Sequence, residues 1–179
     1  MIIDERAARK AYMAEVAKQM MTAARTAPKG KGVDIIEIAT LTGDDIAAVS
    51  RQMLLMAEET GMKFLIRDSE NILQADAMVV IGTRQAVQGL NCAYCGFATC
   101  AAKPAATPCA INAIDVGIAV GSACAKAADL RVDSRVMFSA GWAVEQLGIL
   151  DGCRQCIAIP VSASSKNPFF DRKPKEEKK

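Results

Sequence analysis

Four cysteines gathered into one short stretch constrain this chain more than any other feature. They are Cys92, Cys95, Cys100 and Cys109, spaced Cys-x2-Cys-x4-Cys-x8-Cys. The stretch 83–109 that carries them also holds Pro104 and Pro108 and shows no sustained helical or strand period. A segment of that length without regular structure is usually a functional loop. Thiolates are soft ligands, and four from one compact loop match the all-cysteine ligation of an iron–sulfur cluster. The two-residue gap lets Cys92 and Cys95 converge from a single turn, and Gly96 lets backbone N–H groups approach the cluster sulfides. The order differs from both standard ferredoxin runs, and proline precedes Cys109 rather than following it. Two alternatives stay open. One is a structural zinc site, which the first pair fits and the x4 and x8 gaps fit poorly. The other is a set of buried structural thiols.

The rest of the composition narrows the chemistry. Histidine is absent, which removes Ser-His-Asp and Cys-His catalysis, imidazole metal ligands and imidazole acid–base work together. Seven cysteines, an odd number in 179 residues, do not read as a disulfide framework. With 22 basic and 20 acidic residues the net charge is +2, so no electrostatic argument favours nucleic acid or an anionic membrane. Aromatic residues make up 4%, too few for a base-stacking surface. Residues 1–10 lack an apolar signal region, and Asp115, Lys126 and Asp129 interrupt the most apolar stretch, 110–130. The expectation is a cytoplasmic protein with reduced thiols, binding neither nucleic acid nor membrane.

Periodicity predicts an amphipathic helix over 5–27, with Met13, Val16, Ala17, Met20 and Ala24 on one face. Pro28 and Lys29-Gly30-Lys31-Gly32 end it in a basic loop. Val33–Ala39 reads as a strand, and Thr42 with Asp45 resembles a capping box opening a helix to about Thr60, stopped by Gly61. Phe64–Ile66 reads as a short strand, 67–75 as a short helix, and Met78–Ile81 as a buried strand closed by Gly82. After the cysteine loop come a helix over 111–128, a second capped by Asp133 or Ser134 and running to Leu147, and a strand over 157–161. This is an α+β pattern: a central β-sheet packed by helices in one domain, 1–170. The cysteine loop is inserted at 83–110, and a charged tail, 171–179, follows.

Three further cysteines have plainer readings. Cys153 and Cys156 form a second Cys-x2-Cys just before the last strand; this reads as a redox pair, as extra ligands if the loops meet, or, the favoured reading since a thioredoxin-type pair would open a helix instead, as two unrelated thiols. Cys124 reads as a core residue. Gly117, Gly121 and Ala125 make a small-residue face that serves either core packing, the default, or a helix–helix dimer contact. Trp142 is expected to be buried.

The run Asn-Cys-Ala-Tyr-Cys-Gly-Phe-Ala-Thr-Cys at 91–100 is similar to the Cys-x2-Cys-Gly-x3-Cys modules that bind a 4Fe–4S cluster in corrinoid iron–sulfur proteins. Nearly the whole chain resembles the ferredoxin domain-containing family of bacteria and archaea. Matching pieces are Ala24–Gly30, Arg67-Asp68, the cysteine loop, Ala128–Arg135, and Pro160–Ser162 with Phe169–Arg172. That resemblance implies a cluster held by Cys92, Cys95, Cys100 and Cys109. Ala23–Pro28 also resembles the Ala-Ala-x-x-Ala-Pro-Ser element of nitroreductases, which are dimers with flavin mononucleotide (FMN) at the interface. This second resemblance implies a nitroreductase-like fold and a homodimer. It would place Arg25, Lys29 and Lys31 at a flavin phosphate, with Lys166 approaching from the tail. The nitroreductase Arg-x-Ser-x-Arg start and Asn-x-Gln-Pro are absent, and Lys29 replaces the serine. Lys-Gly-Lys-Gly also lacks the Gly-x4-Gly-Lys-Ser/Thr frame of a phosphate loop.

Two functions follow as expectations. One is intracellular electron transfer by a 4Fe–4S protein, to a redox partner protein or a small acceptor, with a nitroreductase-like, flavin-linked oxidoreductase as its enzymatic form. The other is a non-enzymatic module in which zinc or a structural cluster supports partner binding or sensing.

Overall fold

The computed structural model describes residues 1–170; the charged tail expected at 171–179 lies outside them. The first helix, α1 (Glu5–Thr26), begins with the Asp4 carboxylate accepting the Ala7 N–H, and it buries Met13, Val16, Ala17, Met20 and Ala24 completely. Strand β1 (Ile36–Leu41) follows, then α2 (Gly43–Thr60), which Gly61 ends in the left-handed conformation at φ 71°. The segment expected as strand Phe64–Ile66 is instead the start of a helix, α3 (Lys63–Ile72). Its buried residues Leu65, Asp68, Ser69 and Ile72 recur every three or four positions, a spacing that outweighs three apolar neighbours in a row.

Strand β2 (Ala77–Arg84) runs through Gly82 rather than stopping there. The cysteine loop leads to α4 (Ala110–Asp129). Asp133 and Ser134 do not cap the next helix. They form a short strand, β3 (Asp133–Ser134), and α5 (Phe138–Gln146) begins four residues later. The last strand, β4 (Cys153–Ser162), starts earlier than expected, so Cys153 and Cys156 lie within it.

The four strands form one antiparallel sheet in the order β1-β2-β4-β3. Central β2 has partners on both sides, pairing Ile81 with Ile38 and Val79 with both Thr40 and Ile159. Both faces of β2 are buried. Ala77, Val79 and Ile81 join α1 and α4 in one core, and Met78 and Val80 join α2, α3 and α5 in the other. That alternation places five consecutive apolar residues without exposing any. The result is an α+β domain of three layers, with helices on both faces of the sheet.

Helix α4 is long and apolar enough to cross a bilayer by length and composition alone. In the fold, Val116, Ala119, Ala123 and Ala127 pack into the α1 core. The small-residue face is not core: Gly117, Gly121 and Ala125 are exposed. Trp142 is half-buried, as is Cys124, whose thiol burial pushes above its ordinary pKa. Gly141 of α5 lies directly on the backbone of Cys156 and Ile157.

Candidate metal centre and its surroundings

Cys92, Cys95, Cys100 and Cys109 line a single cavity, walled by Val87, Leu90, Phe97 and Ile111. The backbone turns sharply around the first pair. Asn91, Ala93 and Gly96 take positive φ of 49°, 59° and 87°, and Gly96 N–H closes a turn on the Ala93 carbonyl at 2.8 Å. A left-handed alanine costs about 1–2 kcal/mol, a strain typical of ligand-holding loops. The Asn91 side-chain oxygen accepts the Cys100 N–H at 2.8 Å, tying the first pair to the third cysteine. Thr99 caps the single 3-10 turn Cys100–Ala102 by accepting the Ala102 N–H. The Lys103 ammonium then holds the carbonyls of Pro104 and Thr107 and folds the chain back towards Cys109.

Cys109 occupies the N-cap of α4, where unpaired N–H groups and the helix dipole favour negative charge. Burial opposes ionisation of its thiol. The N–H groups of Gln88, Asn112 and Ile111, with the charge of Lys103, outweigh burial and hold the thiol below its ordinary value. A thiol poised this way is a ready ligand. Among the described residues, no three His, Cys, Asp or Glu groups are gathered closely enough to hold one metal ion. Four thiols lining one apolar-walled cavity are the donor set that an iron–sulfur cluster takes, one thiolate per iron.

Behind this cavity lies a buried polar network that periodicity did not identify. The Gln88 side chain donates to Asn112 Oδ1 at 3.1 Å, and Asn112 Nδ2 donates to the Ala86 and Arg84 carbonyls. One turn further along α4, Asp115 accepts the Gly30 N–H, and Lys31 Nζ donates to the Gln88 carbonyl at 2.8 Å. The available signal was the presence of Asn112 and Asp115, both 2% exposed, on a helix otherwise rich in small apolar residues.

Three of the four cations assigned to a flavin phosphate, Arg25, Lys29 and Lys31, are held by the chain itself. Arg25 pairs with Asp34 at 2.9 Å and donates to the Ile36 carbonyl at 2.6 Å. Lys29 Nζ donates to the carbonyls of Ala24, Arg25 and Ala27 and so satisfies the C-terminal end of α1. Lys166 lies in the turn closed by its N–H on Ser164 Oγ. Arg25, Lys29 and Lys31 thus have their side chains engaged by Asp34 and backbone carbonyls, while the bonds of Lys166 are those of its backbone.

The sequence profile of a family described as uncharacterized proteins containing a ferredoxin domain matches residues 105–172, a span that takes in Cys109. An uncharacterized protein of Archaeoglobus fulgidus is 39% identical over 167 residues, covering 88% of this chain and 90% of the relative. The chain belongs to this ferredoxin-domain family. The fold of this family member is similar to those of solved nitroreductases. A Lactococcus lactis nitroreductase in complex with nicotinic acid superposes with a TM-score of 0.62 at 14% identity, covering 92% of this chain and 81% of that one. For a Bacteroides fragilis nitroreductase with bound FMN the values are 0.59, 11%, 92% and 84%. For one from Desulfitobacterium hafniense, also with bound FMN, they are 0.55, 15%, 92% and 84%. At such identities the likeness is one of fold, and with the family it supports a redox function in broad terms.

Proposed function

We propose that this protein binds a 4Fe–4S cluster through Cys92, Cys95, Cys100 and Cys109 and acts in cytoplasmic electron transfer. The observation that carries this reading is the convergence of all four cysteines on one cavity, with Cys109 at a helix N-terminus. Bound there, the cluster would supply one-electron chemistry. The chain's own residues set its surroundings. Phe97, Leu90 and Ile111 exclude water from one side, and the N–H groups of Gln88, Ile111 and Asn112 stabilise negative charge on the Cys109 sulfur. Cys92 is exposed, so a cluster held there would be open to a redox partner protein or a small acceptor.

The homodimer that the nitroreductase resemblance implies is kept as part of the proposal; the exposed residues Gly117, Gly121 and Ala125 do not by themselves call for a partner. The nitroreductases of Bacteroides fragilis and Desulfitobacterium hafniense carry FMN. Arg25, Lys29 and Lys31 are bound by carbonyls and Asp34 here, so the reading assigns flavin no step.

Anaerobic purification with iron, sulfide, zinc and flavin assays tests the proposal. About four iron and four sulfide per chain are expected. Alanine at any of the four loop cysteines should lower both, while Cys124→Ala leaves them unchanged. Zinc without iron or sulfide would overturn the redox reading in favour of the structural metal module.

A further inference from the structure

Cys153 and Cys156 stand three positions apart, an odd offset that on a regular strand sends side chains to opposite faces. Here both are buried in the same core, between the sheet and α2, α3 and α5. The cause is a bulge. The β2–β4 register shifts between Ile81 and Thr83, and Gln155 takes φ 54°. The extra residue turns Cys156 back to the side that Cys153 occupies. Opposite them, Gly82 leaves a notch where a side chain would stand. A Cβ placed there would lie 2.7 Å from the Cys156 sulfur and 3.1 Å from the Cys153 Cβ. Leu150 closes the notch at 3.3 Å, so the two cysteines share a small apolar enclosure. Cys156 also lines a groove of about 860 Å³ between α4 and α5, bordered by Val136, Phe138 and Gln155.

We propose that Cys153 and Cys156 form a reversible disulfide across this bulge, a second redox site independent of the cysteine loop. The reaction needs a disulfide oxidant, for which oxidised glutathione serves as the probe. Cys156, reached from the groove, loses its proton to solvent and attacks one glutathione sulfur. One glutathione leaves as thiolate and takes up a proton. Cys153 then loses its proton and attacks the Cys156 sulfur, displacing the second glutathione. Two protein S–H bonds and one S–S bond break; one protein S–S bond and two glutathione S–H bonds form. Burial pushes the Cys156 thiol up to about 12 and raises that of Cys153, with Glu145 adding to both. Thiolate is therefore scarce and exchange is slow, on the scale of hours.

Trypsin gives a direct readout, because Arg154 lies between the two cysteines. The protein is purified with its native metal content and held for hours with excess oxidised glutathione. It is then alkylated and digested. The expected product is peptide 136–154 joined to peptide 155–166, about 2 Da below the sum of the two reduced peptides. Dithiothreitol after unfolding should release both. The bridge should persist in Cys124→Ser and vanish in Cys153→Ser. Recovery of both peptides unlinked would overturn the proposal, as would Cys156 found as a stable glutathione adduct or joined to a loop cysteine. The loop cysteines fall in other peptides, so failure here is distinguishable from failure of the cluster reading.

Discussion

Asp115 accepts the backbone N–H of Gly30 with both carboxylate oxygens, at 3.0 and 3.1 Å, across 85 residues of chain. The carboxylate is 2% exposed and ties the loop after α1 to the second turn of α4. Asp115→Ala leaves the Gly30 N–H without its acceptor, and an unsatisfied buried donor costs about 1–3 kcal/mol. Urea unfolding should show that loss, with Asp115→Asn losing less because one oxygen remains. A loss within error for the alanine variant would show that water replaces the carboxylate.

Glycine to alanine in a helix interior ordinarily stabilises by about 1 kcal/mol. Gly121 should follow that rule, since no atoms beyond its local helix lie within 4 Å of a Cβ there. Gly141 should reverse it. A Cβ there would stand 2.0 Å from the Cys156 carbonyl oxygen, so α5 must lift off β4. Overpacking of that kind costs about 1–3 kcal/mol or more. Thermal unfolding of the two variants should therefore move in opposite directions.

Much of this fold is legible in the sequence, and the exceptions have identifiable causes. All five residues picked for the buried face of α1 are fully buried, because a long helix on one core displays its period cleanly. Phe64–Ile66 misleads because three apolar neighbours look alike in a strand and in a helix, and only the later Asp68, Ser69 and Ile72 decide. The start of β4 is hidden by its bulge at Gln155, which breaks the two-residue alternation. Gly117 and Gly121 read as packing residues, since residue size does not tell an inward face from an outward one. That the four loop cysteines belong together was legible from their spacing, and they line one cavity. The Gln88–Asn112–Asp115 network was not legible, because its partners, mostly backbone atoms, are brought near by tertiary structure alone.

Stability should depend on acid through Asp34. Burial alone would raise its pKa, but hydrogen bonds from Arg25 and the Ile36 N–H, with the charges of Arg25 and Lys29, lower it from 3.8. A lowered folded pKa contributes stability above the unfolded value, and that contribution disappears as pH falls through the folded one. Asp34→Asn should therefore reduce stability at neutral pH and flatten the decline below about pH 4. The pair is well exposed, so the neutral-pH loss should stay within about 1 kcal/mol. Unfolding midpoints measured from acid to neutral pH check both parts.

Asn91→Ala removes the acceptor for the Cys100 N–H. A neutral bond of this kind contributes about 0.5–1.5 kcal/mol. If the loop holds a cluster, the variant should release iron to a chelator several-fold faster than the parent, with its urea stability lowered by no more than that contribution. Equal release rates would show that Asn91 does not hold the cysteines in place.

The entrance and exit of the cysteine loop are stitched together. Asn112, in the first turn of α4, donates to the carbonyl of Arg84, 28 residues earlier, and to that of Ala86. The entropy of closing a loop that long is thus met by contacts of the folded domain rather than by any metal. If the pouch at the edge of that domain holds a cluster, the helices and sheet can form before it is filled, and emptying it need not undo the scaffold.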